Sequence, residues 1–172
     1  MKFRFLYAEW QEDEGAEIEM HPRLGLIEKN DMPQEKRFKS FMAGYFDFKI
    51  FIETQLSEVK HIEDLEKQLE EAKKAGIEEI TFYVKEYYPD DKEVPAKFVI
   101  NANETKFFNP IDNEANPNHF DGTAIPTELF LALLKEWKIY IESGSQEEKI
   151  VDIPFDYDET LYRSTGKIQR KQ

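Results

Sequence analysis

From its first residues the chain alternates. Phe3, Phe5 and Tyr7 fall on one face, and Lys2, Arg4 and Leu6 fall on the other. A period of two predicts a strand over 2–8. Glu9, Glu12, Asp13, Glu14, Glu17 and Glu19 then surround Gly15 and predict an acidic connection. Ile18 and Met20, followed by 24–27, predict a short strand or two around the break at His21-Pro22. A further strand is predicted over 37–42. A clearer one is predicted over 45–53, where Phe46, Phe48, Ile50 and Ile52 alternate with Tyr45, Asp47, Lys49 and Phe51.

The period changes after Ser57. Ile62, Leu65, Leu69 and Ala72 recur at three- and four-residue steps, which predicts a helix with a narrow apolar stripe. Ser57 is the candidate N-cap, and Gly76 suits the left-handed position just past the end. Glu63 with Lys67, and Glu70 with Lys74, stand at i,i+4 in the favourable order. Ile80, Phe82 and Val84 return to a period of two and run on through Tyr87 to the turn YPDDKEVP, with Phe98, Ile100 and Ala102 as the hairpin partner. The stretch NPIDNEANPNHFDGTAIPTE, from Asn109 to Glu128, predicts a loop rich in turn formers that leads to Thr127 as a helix cap. A second helix is predicted over 127–142, with Phe130, Leu133, Leu134, Trp137 and Ile141 as its main stripe. Leu129, Leu131 and Ile139 widen that stripe, so the helix is expected to be buried on more than one side. Ser143-Gly144-Ser145 ends it, and 150–155 predicts a last edge strand limited by Pro154.

Strands that follow one another without helical crossovers imply antiparallel pairing. The expected fold is therefore α+β: an antiparallel sheet of about five to seven strands with two main helices, about 57–75 and 127–142, packed on it. Residues 1–155 are expected to form a single domain, and 156–172 a loosely ordered C-terminal tail. The length of 172 residues suits one domain, and 14 Phe with 8 Tyr supply a large core despite 34% charged residues. The absence of cysteine excludes disulfides, cysteine-ligated zinc and a thiol nucleophile. The N-terminal apolar run is too broken for a secretory signal, which needs about 7–15 apolar residues. No segment reaches the roughly 20 apolar residues of a membrane-spanning helix. A cytoplasmic location is expected.

Charge changes the picture more than any motif. Against 23 basic residues stand 36 acidic ones, for a net −13. Arg163, Lys167, Arg170 and Lys171 lie in the last ten residues, which hold no acid, so the preceding body is more acidic still. A field of this sign repels nucleic acid and anionic membranes and speeds encounter with a basic protein.

Catalytic and metal signals are sparse. In the Asn-rich loop, Asp112, His119 and Asp121 superficially suggest a calcium loop, but the sixth position from Asp112 is Pro117 and the twelfth is Thr123. A helix-loop-helix site needs Gly and Glu there. His21, His61 and His119 are never three or four residues apart, no serine sits in a nucleophile elbow, and no phosphate-binding Gly motif occurs. The tail STGKIQRK is similar to a C-terminal motif of adenylate-forming ligases, but the nucleotide-binding core those enzymes need is missing. No catalytic residue, metal or cofactor is expected.

A protein-binding inhibitor needs none of these. It needs a scaffold, carboxylates that steer a basic target, and a few aromatic anchors. The chain is therefore expected to act as an acidic inhibitor of the kind bacterial immunity proteins exemplify, neutralising a basic toxin, with a nuclease as the natural target, by occluding its active surface. Candidate contact residues are Trp10 with Glu12, Asp13 and Glu14; Tyr87, Tyr88, Asp90 and Asp91 in the YYPDDKE turn; and Asp112 and Asp121. Two alternatives stand beside it. One is a small-ligand-binding protein or hydrolase on an aromatic-rich scaffold, and the other is a nucleic-acid mimic, which the Lys-Glu interleaving along the first helix disfavours.

Overall fold

The computed structural model describes residues 1–10, 17–27, 51–53, 55–84, 96–108, 123–158, 160–161 and 168–171. Seven strands and two long helices occur among them. In chain order they are β1 (Lys2–Trp10), β2 (Glu19–Ile27), α1 (Val59–Lys74), β3 (Glu79–Val84), β4 (Ala96–Asn101), β5 (Glu104–Phe108), β6 (Thr123–Pro126), α2 (Thr127–Glu142) and β7 (Lys149–Asp152). The class is α+β, as the alternation and helical stripes predict. The strands divide into two antiparallel sheets, ordered β2-β1-β7 and β3-β4-β5-β6.

In the three-stranded sheet β1 is central. Its alternation turns Phe3 and Phe5 inward, opposite Val151 of β7 and Leu24 of β2 respectively, and all four are buried. The break expected at His21-Pro22 does not occur: β2 runs through it, with Pro22 opposite Tyr7. Among the described strands β2 has β1 as its one neighbour, a position where proline's missing N–H is tolerated.

The four-stranded sheet is a meander. The predicted β3–β4 hairpin forms with Ile80 opposite Ile100 and Phe82 opposite Phe98. Asn101 then closes a tight turn by accepting the N–H groups of Asn103 and Glu104 on its side-chain oxygen, at 2.9 and 2.8 Å. This launches β5, a strand not anticipated from the sequence, which buries Thr105 and Phe107. Residues 123–126, expected to belong to the loop, pair with β5 as β6.

α2 joins the two sheets. Phe130 in its first half packs edge-on to Phe107 with ring centroids 5.9 Å apart, and Trp137 in its second half packs edge-on to Phe5 at 5.3 Å. A single apolar core results, drawing on both sheets, α1 and α2. The wide stripe expected for α2 is corrected here. Leu129 is buried, but Leu131 and Ile139 are 42% and 44% exposed and Ile141 is half-buried. Leu131, Lys135 and Ile139 step by four and share the outward side, and the lysine between the two apolar residues marks that side as solvated.

α1 presents Ile62, Leu65 and Ala72 to the core. It ends in a Schellman turn: Gly76 has φ 70°, its N–H donates to the Lys73 carbonyl at 3.2 Å, and the Ile77 N–H donates to the Ala72 carbonyl at 2.9 Å. At the other end Glu58, not Ser57, holds the cap position, without a side-chain cap bond. The strand expected over 45–53 is overturned where it is described: 51–53 are helical, and the Leu56 N–H closes an i,i+4 bond onto the Ile52 carbonyl at 3.1 Å. Phe51, Ile52 and Leu56 are all buried. Adjacent buried residues followed by one four positions on suit a helical turn, whereas a strand would alternate. The strand expected over 37–42 lies outside the described residues.

The chain after β7 folds back along itself. Tyr157 bridges to Arg170, the Asp158 N–H donates to the Gln169 carbonyl at 2.9 Å, and the Lys171 N–H donates to the Asp156 carbonyl at 3.1 Å. Ile168 packs against the core.

Candidate partner-binding surface

Of the predicted contact residues, Trp10 closes β1 with its backbone opposite Glu19. Its side chain lies outside the described residues, as do Glu12, Asp13, Glu14, Tyr87, Tyr88, Asp90, Asp91, Asp112 and Asp121. The strands that lead to them are described. Val84 is opposite Ala96, Lys97 is opposite Phe108, and Phe107 is opposite Thr123. Segments 85–95 and 109–122, which carry two of the three acidic groups, therefore leave the four-stranded sheet from neighbouring strand ends on one side. The group at 12–14 leaves from the three-stranded sheet.

Exposed carboxylates occur in several described regions, among them α1, the stretch 142–158 and the start of α2. On α1 these are Glu63, Asp64, Glu66, Glu70 and Glu71. The i,i+4 pair Glu70–Lys74 forms at 2.8 Å, but Glu63 does not hold Lys67, which sits 4.0 Å from Glu71 instead. Glu63 turns to α2, where Lys138 lies 3.6 Å from it and 2.8 Å from Glu66. The hydrogen bond to Glu66 holds the Lys138 ammonium above its ordinary pKa, helped by the charges of Glu66, Glu63 and Glu142. One lysine thus serves several carboxylates, and the seam between the helices stays acidic.

The second region is 142–158, where Glu142, Glu147, Glu148, Asp152, Asp156 and Asp158 stand against one base, Lys149. Lys149 lies 3.4 Å from Glu136 of α2, and Arg4 reaches Glu148 at 3.5 Å. Beneath this region Tyr140 is buried and donates its hydroxyl to the Glu147 carbonyl at 3.1 Å; burial pushes its pKa up.

The third is the start of α2. Arg170 donates from Nε to Glu128 Oε1 at 2.6 Å and from Nη2 to the other oxygen, and its guanidinium lies 5.6 Å from the centre of the Phe155 ring. The Arg170 hydrogen bond, and then its charge, hold the Glu128 carboxyl below its ordinary value of 4.5. A depressed pKa in the folded state stabilises above the unfolded value and is lost as pH falls through the folded one. We expect the contact between 168–171 and α2 to loosen as the pH falls below the ordinary carboxylate range. An NMR titration of the Glu128 carboxyl checks this: Arg170→Ala should return its midpoint to the ordinary range, and an unchanged midpoint would show that Arg170 does not hold it.

No protein-family model, curated protein or solved structure matches this chain.

His21 lies 3.1 Å from Glu19 on β2, and His61 is exposed on α1. His119 lies outside the described residues. Among the described residues, no three His, Asp or Glu side chains are grouped to hold a metal ion, and no helix is long and apolar enough to cross a membrane. Two features were not singled out from the sequence. One is the outward pair Leu131 and Ile139, signalled only by Lys135 between them. The other is Glu53, whose side chain is 3% exposed; it accepts the Leu24 N–H at 2.6 Å and Arg23 Nη1 at 3.0 Å. Nothing near Glu53 in sequence signals this, because its partners lie 29 and 30 residues away.

Proposed function

We propose that the protein is an acidic inhibitor that binds a basic protein, of the immunity type, and neutralises it by covering its active surface. The observation that carries this is the acid excess of 36 over 23, displayed on described surface as exposed Glu142, Glu147, Glu148, Asp152 and Asp156, with Lys149 the one base within 142–158 and Arg4 and the N-terminal ammonium beside Glu148 and Asp152. Such a surface steers a cationic partner and repels a nucleic acid. Leu131 and Ile139, exposed beside the acidic seam of α1 and α2, supply apolar contact area that an interface centre needs. A basic toxin domain fits this surface, and a nuclease fits best, because its own active face must attract phosphates.

Salt tests the reading. Partners captured from a lysate of the source and released by a salt step would be identified, and their association with the protein followed by stopped flow. The on-rate should fall by about tenfold or more between low and physiological salt, where charges are screened beyond about 8 Å. Charge reversal at Asp90 and Asp91, at Asp13 and Glu14, or at Glu147 and Glu148 should slow association while leaving the unfolding midpoint in place. An on-rate indifferent to salt and to all three reversals would remove the electrostatic basis of the proposal.

A further inference from the structure

A sheet leaves two edges, and each edge strand turns alternate N–H and C=O groups away from its neighbour. The four edges here are β2, β7, β3 and β6. Three are blunted. The Glu53 carboxylate takes the Leu24 N–H on β2. β7 is four residues long and is followed two residues on by Pro154, which has no N–H to donate to a further strand. β6 is also four residues long, ends at Pro126 and runs straight into α2.

β3 differs. Its six residues, EITFYV, are β-branched or aromatic apart from Glu79 and include no proline, glycine or lysine. Among the described residues it pairs with β4 alone. On its core side Ile80 and Phe82 are only half-buried, although Phe82 stacks on Phe98 at 4.6 Å, and Leu69 of α1 is likewise half-covered beside the same core. On its outer side Glu79 and Thr81 are exposed, preceded by exposed Glu78 and by Ile77 at 55% exposure. Among the described residues the apolar rim of the core thus ends at a hydrogen-bonding edge with no second strand beside it, flanked by two carboxylates.

We propose that the edge of β3 receives an extended segment of a partner protein as a fifth strand, and that the segment alternates apolar with basic residues. Its backbone would meet the outward N–H and C=O groups of β3. Its apolar side chains would lie beside Ile80 and Phe82, and its Lys or Arg side chains would face Glu79 and Thr81, with Glu78 just beyond the end of the strand. Cross-strand neighbours of this kind are the units that stabilise an added strand. A second copy of this chain is the poorer occupant, because it would bring a body of charge −13 against another of −13. The sign of the segment rests on the proposed function; the openness of the edge does not.

The probe is a synthetic seven-residue peptide alternating valine with lysine and arginine, mixed with the full chain. Binding is read by fluorescence anisotropy, and location by amide hydrogen exchange. Alternate amides within 79–84 should exchange about tenfold or more slowly with peptide bound. A peptide with proline at its centre should lose this protection, and Glu78→Lys with Glu79→Lys should weaken binding roughly tenfold. Both substituted positions are exposed, and the unchanged unfolding midpoint of the double variant verifies that it is folded. Salt-sensitive binding that protects the outward side of α2 instead would overturn the β3 assignment and leave the basic-partner reading standing. Equal protection by a valine–glutamate peptide would overturn the charge of the segment and count against that reading as well. Concentration-dependent protection of β3 without peptide would make a second copy the occupant, and no binding at millimolar peptide would overturn the proposal outright.

Discussion

Trp137→Ala is expected to lower the free energy of unfolding by about 3–5 kcal/mol, the range for emptying a large aromatic from a packed core. Trp137 is fully buried at the point where α2 reaches the three-stranded sheet, edge-on to Phe5 and 6.1 Å from the Tyr140 ring. It also holds the helical turn before α1, because Nε1 donates to the Leu56 carbonyl at 2.8 Å. The substitution leaves a cavity and removes that carbonyl's indole donor, with little freedom for neighbouring strands to collapse inward. Trp137→Phe separates the two contributions: it keeps most of the ring and should cost about 1–3 kcal/mol for the lost hydrogen bond. Urea titration followed by circular dichroism reads both. If the alanine variant lost less than about 1 kcal/mol, α2 would not be the element that ties the sheets together.

Glu53→Ala is expected to cost about 1.5–3 kcal/mol, the range for a hydrogen bond to a charged group, because the Leu24 N–H is buried while Arg23 is 28% exposed and can be re-solvated. The carboxylate is buried, and its two oxygens divide their work: Oε1 takes the Leu24 N–H on the edge of β2, and Oε2 takes the Arg23 guanidinium. Without it, a buried N–H on an edge strand loses this acceptor and Arg23 loses a counter-charge. Glu53→Gln retains an acceptor for Leu24 and should cost less than half as much. Hydrogen exchange at Leu24 gives an independent readout, with faster exchange expected in the alanine variant and near-native exchange in the glutamine variant. Equal loss in both variants would mean that charge, and not the hydrogen bond to the edge, is what the site supplies.

How much of this was legible varies by element. β1 and α2 were legible because their signals are dense: three aromatics at alternate positions in one, and large apolar residues at helical spacing in the other. The end of α1 was legible because Gly76 accepts a positive φ that other residues resist. β5 and β6 were not, since each is short: β5 buries Thr105 and Phe107, and Ile125 is the one buried residue among the described side chains of β6. At 51–53 alternation on paper coincided with a helical turn, because Phe51 and Ile52 are both buried and no two-period reading allows that. The candidate surface was legible as charge and not as geometry. The acid count was visible, whereas Glu63 crossing to Lys138, and Leu131 and Ile139 facing outward, depend on where the helices lie.

By itself the sequence determined what residues within a few positions of one another can settle: the period of β1, the core-facing stripe of each helix, the Gly76 end of α1, the hairpin of β3 with β4, and the α+β class. It also determined the net charge. Only the tertiary structure decided that the strands form two sheets, that the last strand pairs with the first, and that Glu53 closes an open edge. The physical reason is range. Local periodicity records which side of an element meets the core, but the pairing of β7 with β1 joins Phe3 to Val151 and the bond from Leu24 reaches Glu53. Such contacts are chosen by competition among all the apolar faces and edges at once, and no window of the chain contains that competition.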